Sequence, residues 1–302
     1  MVRRNGVIRQ ILRKTLRTIT STPSTRNIAH RLTRSGYVPR SVWKRLPIGH
    51  GYQHDFGNGH TIHFMSDDAI GRALYWRGVD LTDEGRELRV FCSLVKESRR
   101  FLDVGANTGI YSLLACAFNP DCQVDSFEPV PRLFEKLQAN VKANSWEHRC
   151  RLHQCAVSDQ PGTALFHVPL VDTPTSASLN VNGFRGYDGE KIQVTVSTLD
   201  DLCFDDGPID LMKIDVEGFE DAVLRGMPRI IERDHPSMLI ECLPDGPYKE
   251  VEEILNDAGY HFFHVTDEAL NPASKIIPDK SERFKNYLCT VREEIMQSAK
   301  AA

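Results

Sequence analysis

The chain has 302 residues, with 37 Lys and Arg against 41 Asp and Glu and a hydrophobic content of 41%. That is the profile of a globular protein with one large domain and an extension, not two full domains. Residues 1–45 hold 12 of the basic residues and no acid, so the rest is acidic, which excludes a broad nucleic-acid surface. The eight cysteines lack C-x-x-C spacing, which excludes a zinc knuckle and suits a reducing cytoplasm.

Residues 1–20 place Ile8, Ile11, Leu12, Leu16 and Ile19 on one helical face amid Arg9, Arg13, Lys14 and Arg17. The stretch is too short and too charged to span a bilayer. Three readings stand: docking on the acidic body or on a protein partner, peripheral contact with an anionic membrane, or a targeting presequence. Residues 21–50 read as a linker with short helical pieces, so residues 1–50 form a basic extension and residues 51–302 the main domain.

Within that domain, residues 51–99 hold a hairpin and a cover helix, and residues 100–302 the core. His54 to Phe64 turns at Gly57-Asn58-Gly59. The flanks of His50, His54, His60 and His63 supply no consistent metal geometry, and solvated strand edges are the simpler reading. Tyr75, Trp76 and Arg77 read as core aromatics beside one exposed charge, with a lid as the alternative. Leu81 to Ser98 is expected to be a helix begun by Thr82, with Leu88, Phe91, Cys92 and Val95 as its buried stripe.

The stretch FLDVGANTGIYSLLACA, Phe101 to Ala117, reads as a buried strand, a glycine turn and a helix. This succession opens a doubly wound α/β sheet whose ligand site lies at the carboxyl end of the strands. Gly105 lets the backbone approach a ligand, and the helix start favours negative groups. A dinucleotide site wants G-x-G-x-x-G, but Asn107 and Ile110 replace its second and third glycines. The pattern D-x-G-x-N-x-G instead puts Asp103 where it can face the ammonium of S-adenosylmethionine. Glu128 closes the second strand 19 residues beyond Gly109, the place of a carboxylate that accepts from a ribose diol.

Pro131 stands at a first helical position, and Leu152 to Val157 is expected to be the third strand. Asp172 to Tyr187 is a loop rich in hydroxyls, Asn and Gly, suited either to an oxygen-rich acceptor or to a plain connection. Ile192 to Val196 alternates as an edge strand does. Ile209 to Val216 is the fourth strand, ending at Asp215 beside the Gly105 turn, with Glu217, Glu220 and Glu241 on the same rim. Crowded carboxylates raise one another's pKa, and one of them can serve as a general base. Asp215 is the first candidate and Glu217 the second; stabilising the following helix start is their alternative use. Tyr248 to Ala258 is a helix, Tyr260 to Val265 a sixth strand, and Tyr287 to Val291 a seventh, antiparallel one.

Six segments, FLDVGANTGIYSLLA, SFEPVPRLFEKLQANVKAN, CAVSDQPGTA, STLDDL, LMKIDVEGFEDAVLRGM and LIEC, together resemble the FkbM family of S-adenosylmethionine-dependent methyltransferases over residues 100–241. The resemblance implies a Rossmann-like, seven-stranded class I methyltransferase sheet with helices on both faces, and O-methylation of a small-molecule hydroxyl, a sugar or glycan among the options. It implies cofactor contacts from Asp103, Gly105, Ala106, Asn107, Gly109 and Glu128, and an adenine contact by Ala156, Val157 and Asp159, although Asp159 also suits turn chemistry. Carboxylates after strands four and five also resemble the metal-dependent catechol-type enzymes. Too few ligands match, so no metal is expected. The rival readings are a nicotinamide-dependent oxidoreductase and a non-catalytic protein of this fold that binds partners.

Overall fold

The computed structural model describes residues 23–44, 46, 48, 51–57, 59–65, 69–79, 85–169, 189–267 and 270–295. The basic stretch 1–20, Thr82, His50 and the polar loop 172–187 lie outside the described residues. The chain divides into two compact units, Met1–Gly85 and Arg86–Ala302.

The first unit contains α1 (Pro23–Arg34), α2 (Arg40–Trp43), the antiparallel hairpin β1 (Tyr52–Asp55) and β2 (Thr61–Phe64), and α3 (Ala69–Arg77). Its core is aromatic. Trp76 is fully buried and donates its indole N–H to the Leu46 carbonyl at 3.0 Å, and Tyr52 stacks on Phe64. Trp76 is therefore core. His54 departs from the expected solvated edge. It is buried, and desolvation, aided by the charge of Arg34, pushes its pKa down to about 4, so it packs as a neutral ring.

In chain order, the second unit's elements begin with α4 (Gly85–Val95), β3 (Arg100–Val104), α5 (Ile110–Phe118), β4 (Gln123–Phe127), α6 (Pro131–Ala143) and β5 (Cys150–His153). There follow β6 (Ala156–Val157), β7 (Gly162–Pro169), β8 (Gly189–Ser197), α7 (Leu199–Cys203), β9 (Leu211–Ile214), α8 (Glu220–Arg225) and α9 (Pro228–Asp234). The last are β10 (Ser237–Glu241), α10 (Tyr248–Asp257), β11 (His261–Val265), β12 (Leu270–Ala273) and β13 (Asn286–Thr290).

The main sheet has eight strands in the order β12-β11-β13-β10-β9-β3-β4-β5. Neighbours from β10 to β5 run parallel, and β13 is antiparallel to both β10 and β11, as expected for the seventh strand. The eighth strand corrects the expected count. β12 is an edge strand carrying Pro272, little buried, so neither periodicity nor composition announced it. The central strands β3, β9 and β10 are buried along their whole length, which explains their unbroken apolar runs.

Two further expectations change. LHQCAV is not one strand: its first half ends β5 in the main sheet, while Ala156–Val157 forms β6 in a separate three-stranded sheet, β6-β8-β7. Ile192 to Val196 lies in the middle strand of that sheet, paired with β7 along its length and with β6 at Val196. Its alternation reflects one face packed on Val130, Leu133, Ala156 and Phe166. Strand order reverses beside β3, where the chain first builds outward through β4 and β5 and then returns through β9 and β10. The crevice between the carboxyl ends of β3 and β9 is therefore the topological switch point.

Candidate functional site

The turn after β3 is built from contacts only glycine permits. Gly105 has φ +84°, and a Cβ there would stand 1.9 Å from the Asp215 carbonyl oxygen; Gly109 has φ +91°, and its Cβ would meet Leu137 at 2.3 Å. Asn107 also adopts a left-handed conformation, φ 52°, which asparagine tolerates better than most residues. The amides of Gly105 and Ala106 both donate to the Phe127 carbonyl, at 3.0 and 2.9 Å. The Asn107 amide donates to Glu128 Oε2 at 2.8 Å, and Val130 donates to Oε1 at 2.8 Å. Glu128 thus braces the turn from the end of β4. It is 4% exposed, and burial, against the pull of those two amides, lifts its pKa to about 7.

Asp103, expected to face a ligand's ammonium, instead lies beneath the turn, 1% exposed. Its carboxylate accepts from Ser112 N–H at 3.0 Å and Ser112 Oγ at 2.5 Å, and Ser112 Oγ also meets Ser126 Oγ at 2.7 Å. Burial pushes its pKa up to about 6. Asn140 on α6 donates to the Thr108 carbonyl at 2.7 Å, so the turn is held from a third element as well.

Across the crevice, the Asp215 amide donates to the Val104 carbonyl at 3.0 Å, fixing the end of β9 beside the turn. Glu217 follows in a left-handed conformation, φ 55°. Glu220 Oε1 accepts from the amides of Val216 (3.3 Å) and Gly218 (3.1 Å), which shapes the loop before α8. Carboxylate oxygens of Asp215, Glu217 and Glu241 all lie within 4.8 Å of one another.

Two lysines meet this cluster. Lys285 binds Glu241, and Lys213 binds Asp215 Oδ2 at 3.3 Å. Their effect differs between the acids. Burial pushes Asp215 up, but the charges of Lys213 and Lys285 outweigh it and hold the carboxyl below its ordinary range. Burial and then the charge of Glu241 lift Glu217 to about 9. Burial and Asp215 lift Glu241 to about 8 despite Lys285. Asp215 is accordingly the ionised member of the three at neutral pH.

The structure thus brings Asp103, Gly105, Ala106, Asn107, Gly109, Glu128, Asp215 and Glu217 together at one switch point. Ala156 and Val157 are buried in β6, and the exposed Asp159 faces Arg225 at 3.6 Å. Sequence reasoning passed over Lys213, Lys285, Glu87, Tyr111 and Asn286. The one signal available was a lysine inside the otherwise apolar LMKI.

The family model for the methyltransferase FkbM domain matches residues 103–262, more than half of the chain. The chain is 34% identical over 155 residues to the 31-O-demethyl-FK506 methyltransferase FkbM of Streptomyces tacrolimicus, covering 41% of this chain and 58% of that protein. It is 27% identical over 197 residues to the hexuronic acid methyltransferase AglP of Haloferax volcanii, covering 61% and 72%. A crystal structure of methyltransferase FkbM from Methylobacillus flagellatus KT aligns with a TM-score of 0.43 and 17% identity, over 74% of this chain and 55% of that one. The chain therefore spans less than two thirds of the Streptomyces relative's length.

Proposed function

Because this chain belongs to the FkbM methyltransferase family, we propose that it uses S-adenosylmethionine to methylate a hydroxyl of a small molecule, with a sugar or glycan the favoured acceptor. The observation that carries the reading is the switch-point site itself: a glycine turn in backbone contact with Asp215, braced by Glu128. The donor set suits this cofactor, since Asp215, ionised and partly exposed at the crevice, complements a sulfonium or an ammonium. Relatives named for methylating 31-O-demethyl-FK506 and hexuronic acid support a small-molecule or sugar acceptor.

The cofactor supplies a methyl group on positively charged sulfur; the residues hold, aim and deprotonate. Glu128 accepts from the ribose diol, the Gly105–Gly109 turn lies against the nucleoside, and the Ala156–Asp159 segment borders the adenine. Asp103 supports the turn through Ser112. Holding the acceptor oxygen in line with the methyl contributes up to about 7–11 kcal/mol in favourable intramolecular systems. Asp215 takes the hydroxyl proton, with Glu217 as the second candidate.

Calorimetry with S-adenosylhomocysteine and, separately, with NAD tests the cofactor. Binding of the first alone is expected, and binding of NAD alone overturns the reading. Cell extract incubated with the protein and methyl-labelled cofactor identifies the acceptor by a mass gain of one methyl group. In that assay Asp215→Asn loses turnover while keeping cofactor binding.

A further inference from the structure

Lys213 is the most unusual side chain in the sheet. It sits on β9 between β3 and β10, and it is 1% exposed. Burying a lysine is costly unless its charge is met. Here its Nζ lies 3.0 Å from Asn286 Oδ1, 3.4 Å from Glu87 Oε1 and 3.3 Å from Asp215 Oδ2, with the Tyr111 ring centroid 5.4 Å away. These partners are themselves locked. Tyr111 donates its hydroxyl to Glu87 Oε1 at 2.6 Å, and Asn286 donates its amide to Glu87 Oε2. The lysine, Glu87 and Asn286 form a closed ring contributed by β9, α4 and β13.

Glu87, whose side chain is 6% exposed, is the buried carboxylate that shares the charge of Lys213 with Asp215. Asp215 is different: its side chain is 36% exposed at the crevice. The ring therefore holds a positive charge against Asp215, which stands at the crevice beside the partly exposed Glu217.

We infer that Lys213 is the positioning residue for Asp215, pinning one carboxylate oxygen and keeping the group ionised so that the other oxygen can take the acceptor's proton. The inference rests on the reading of Asp215 as proton acceptor. The chemistry explains why a lysine helps there. An acceptor oxygen lone pair forms the new C–O bond as the C–S bond breaks with its electrons going to sulfur, and the O–H proton passes to the carboxylate. An oxygen that has gained a methyl while still protonated is a strong acid, so the receiving group need not be a strong base. It must be charged and in place.

Besides Lys213, the charged groups facing Asp215 are Asp103 from β3, Glu217 and Glu220 from the loop into α8, Glu241 from β10 and Lys285 before β13. All four acids in this set, Asp103, Glu217, Glu220 and Glu241, have pKa values raised chiefly by burial. Without Lys213, Asp215 keeps Lys285 as its cationic neighbour amid these four acids.

The test is carboxyl NMR on protein labelled with 13C at aspartate side chains, with the Asp215 resonance assigned by its loss in Asp215→Asn. In the full chain Asp215 is expected to titrate below the ordinary aspartate range. In Lys213→Met its midpoint rises by at least about one pH unit, a tenfold change in ionisation at fixed pH, and Lys213→Arg restores it. Should Lys213→Met fail to fold, Asn286→Ala, which removes the contact at 3.0 Å, raises the midpoint by a smaller amount. An unmoved midpoint in the folded variant overturns the role of Lys213 whether or not the nucleoside binds. Failure of the unaltered chain to bind S-adenosylhomocysteine overturns the functional reading instead, so the two failures are told apart. With the extracted acceptor, a lowered kcat at unchanged KM for the cofactor supports the positioning role.

Discussion

Gly105 and Asp215 lie in backbone contact: a Cβ on residue 105 would stand 1.9 Å from the Asp215 carbonyl oxygen. The turn after one strand and the acid after the next are therefore set by a single close approach. Gly105→Ala forces the two strand ends apart and also places alanine at φ +84°, where the conformation alone costs about 1–2 kcal/mol. The expected outcome is a lowered Tm together with loss of S-adenosylhomocysteine binding by calorimetry. A variant with unchanged affinity separates the turn from the ligand.

Glu128 offers a pH test. Its carboxyl, raised to about 7 by burial, loses its proton as pH climbs through neutrality, and the charged form is the better acceptor for a ribose hydroxyl. Affinity for S-adenosylhomocysteine is expected to be higher at pH 8 than at pH 6. Glu128→Gln weakens binding by about 1.5–3 kcal/mol and flattens that dependence. A slope that survives in the variant assigns it to another group.

Glu220 bears on stability. Its pKa is raised from 4.5 to about 7, chiefly by burial. The folded chain therefore binds more protons than the unfolded chain between those values. The group's contribution is full below the window and is lost as pH rises through it. Glu220→Gln keeps an oxygen for the amides of Val216 and Gly218 and removes the buried charge. Thermal unfolding from about pH 5 to pH 8 is expected to show a smaller fall in Tm for the variant than for the parent. An equal fall shows that the pKa of Glu220 does not differ between the folded and unfolded chains.

Ser112 satisfies Asp103 and Ser126 at once. Ser112→Ala leaves a buried carboxylate short of one donor, at a cost of about 1–3 kcal/mol by denaturant unfolding. Ser112→Cys, with its weak donor, is expected to fall between the two.

The cluster of Asp215, Glu217 and Glu241 has the spacing of a cation site, and it also meets Lys213 and Lys285. Methyl transfer is expected to proceed undiminished after treatment with EDTA. A loss restored by Mg²⁺ reverses that expectation.

Much of this site was legible in the chain because its signals are local. Hydrophobic runs mark the buried strands, a D-x-G-x-N-x-G turn follows one of them, and Glu128, Asp215 and Glu217 stand at strand ends. Glu241, at the end of the fifth strand, was visible for the same reason. Each of these features depends on residues a few positions apart, and the backbone at Gly105 and Gly109 demands glycine for steric reasons any neighbour would impose.

What only the tertiary structure decided is pairing between distant segments. Ala156–Val157 left the strand that His153 ends because its partner is β8, and Pro272 entered a strand because the sheet edge asks no amide of it. His54 became neutral core through the packing of unit-mates far along the chain. Lys213 met Glu87 and Asn286, which touch each other although 199 residues apart in the chain. A lysine in an apolar strand announces a buried charge. Which acids neutralise it is set by the packing of nonlocal elements, and with that the charge state of Asp215.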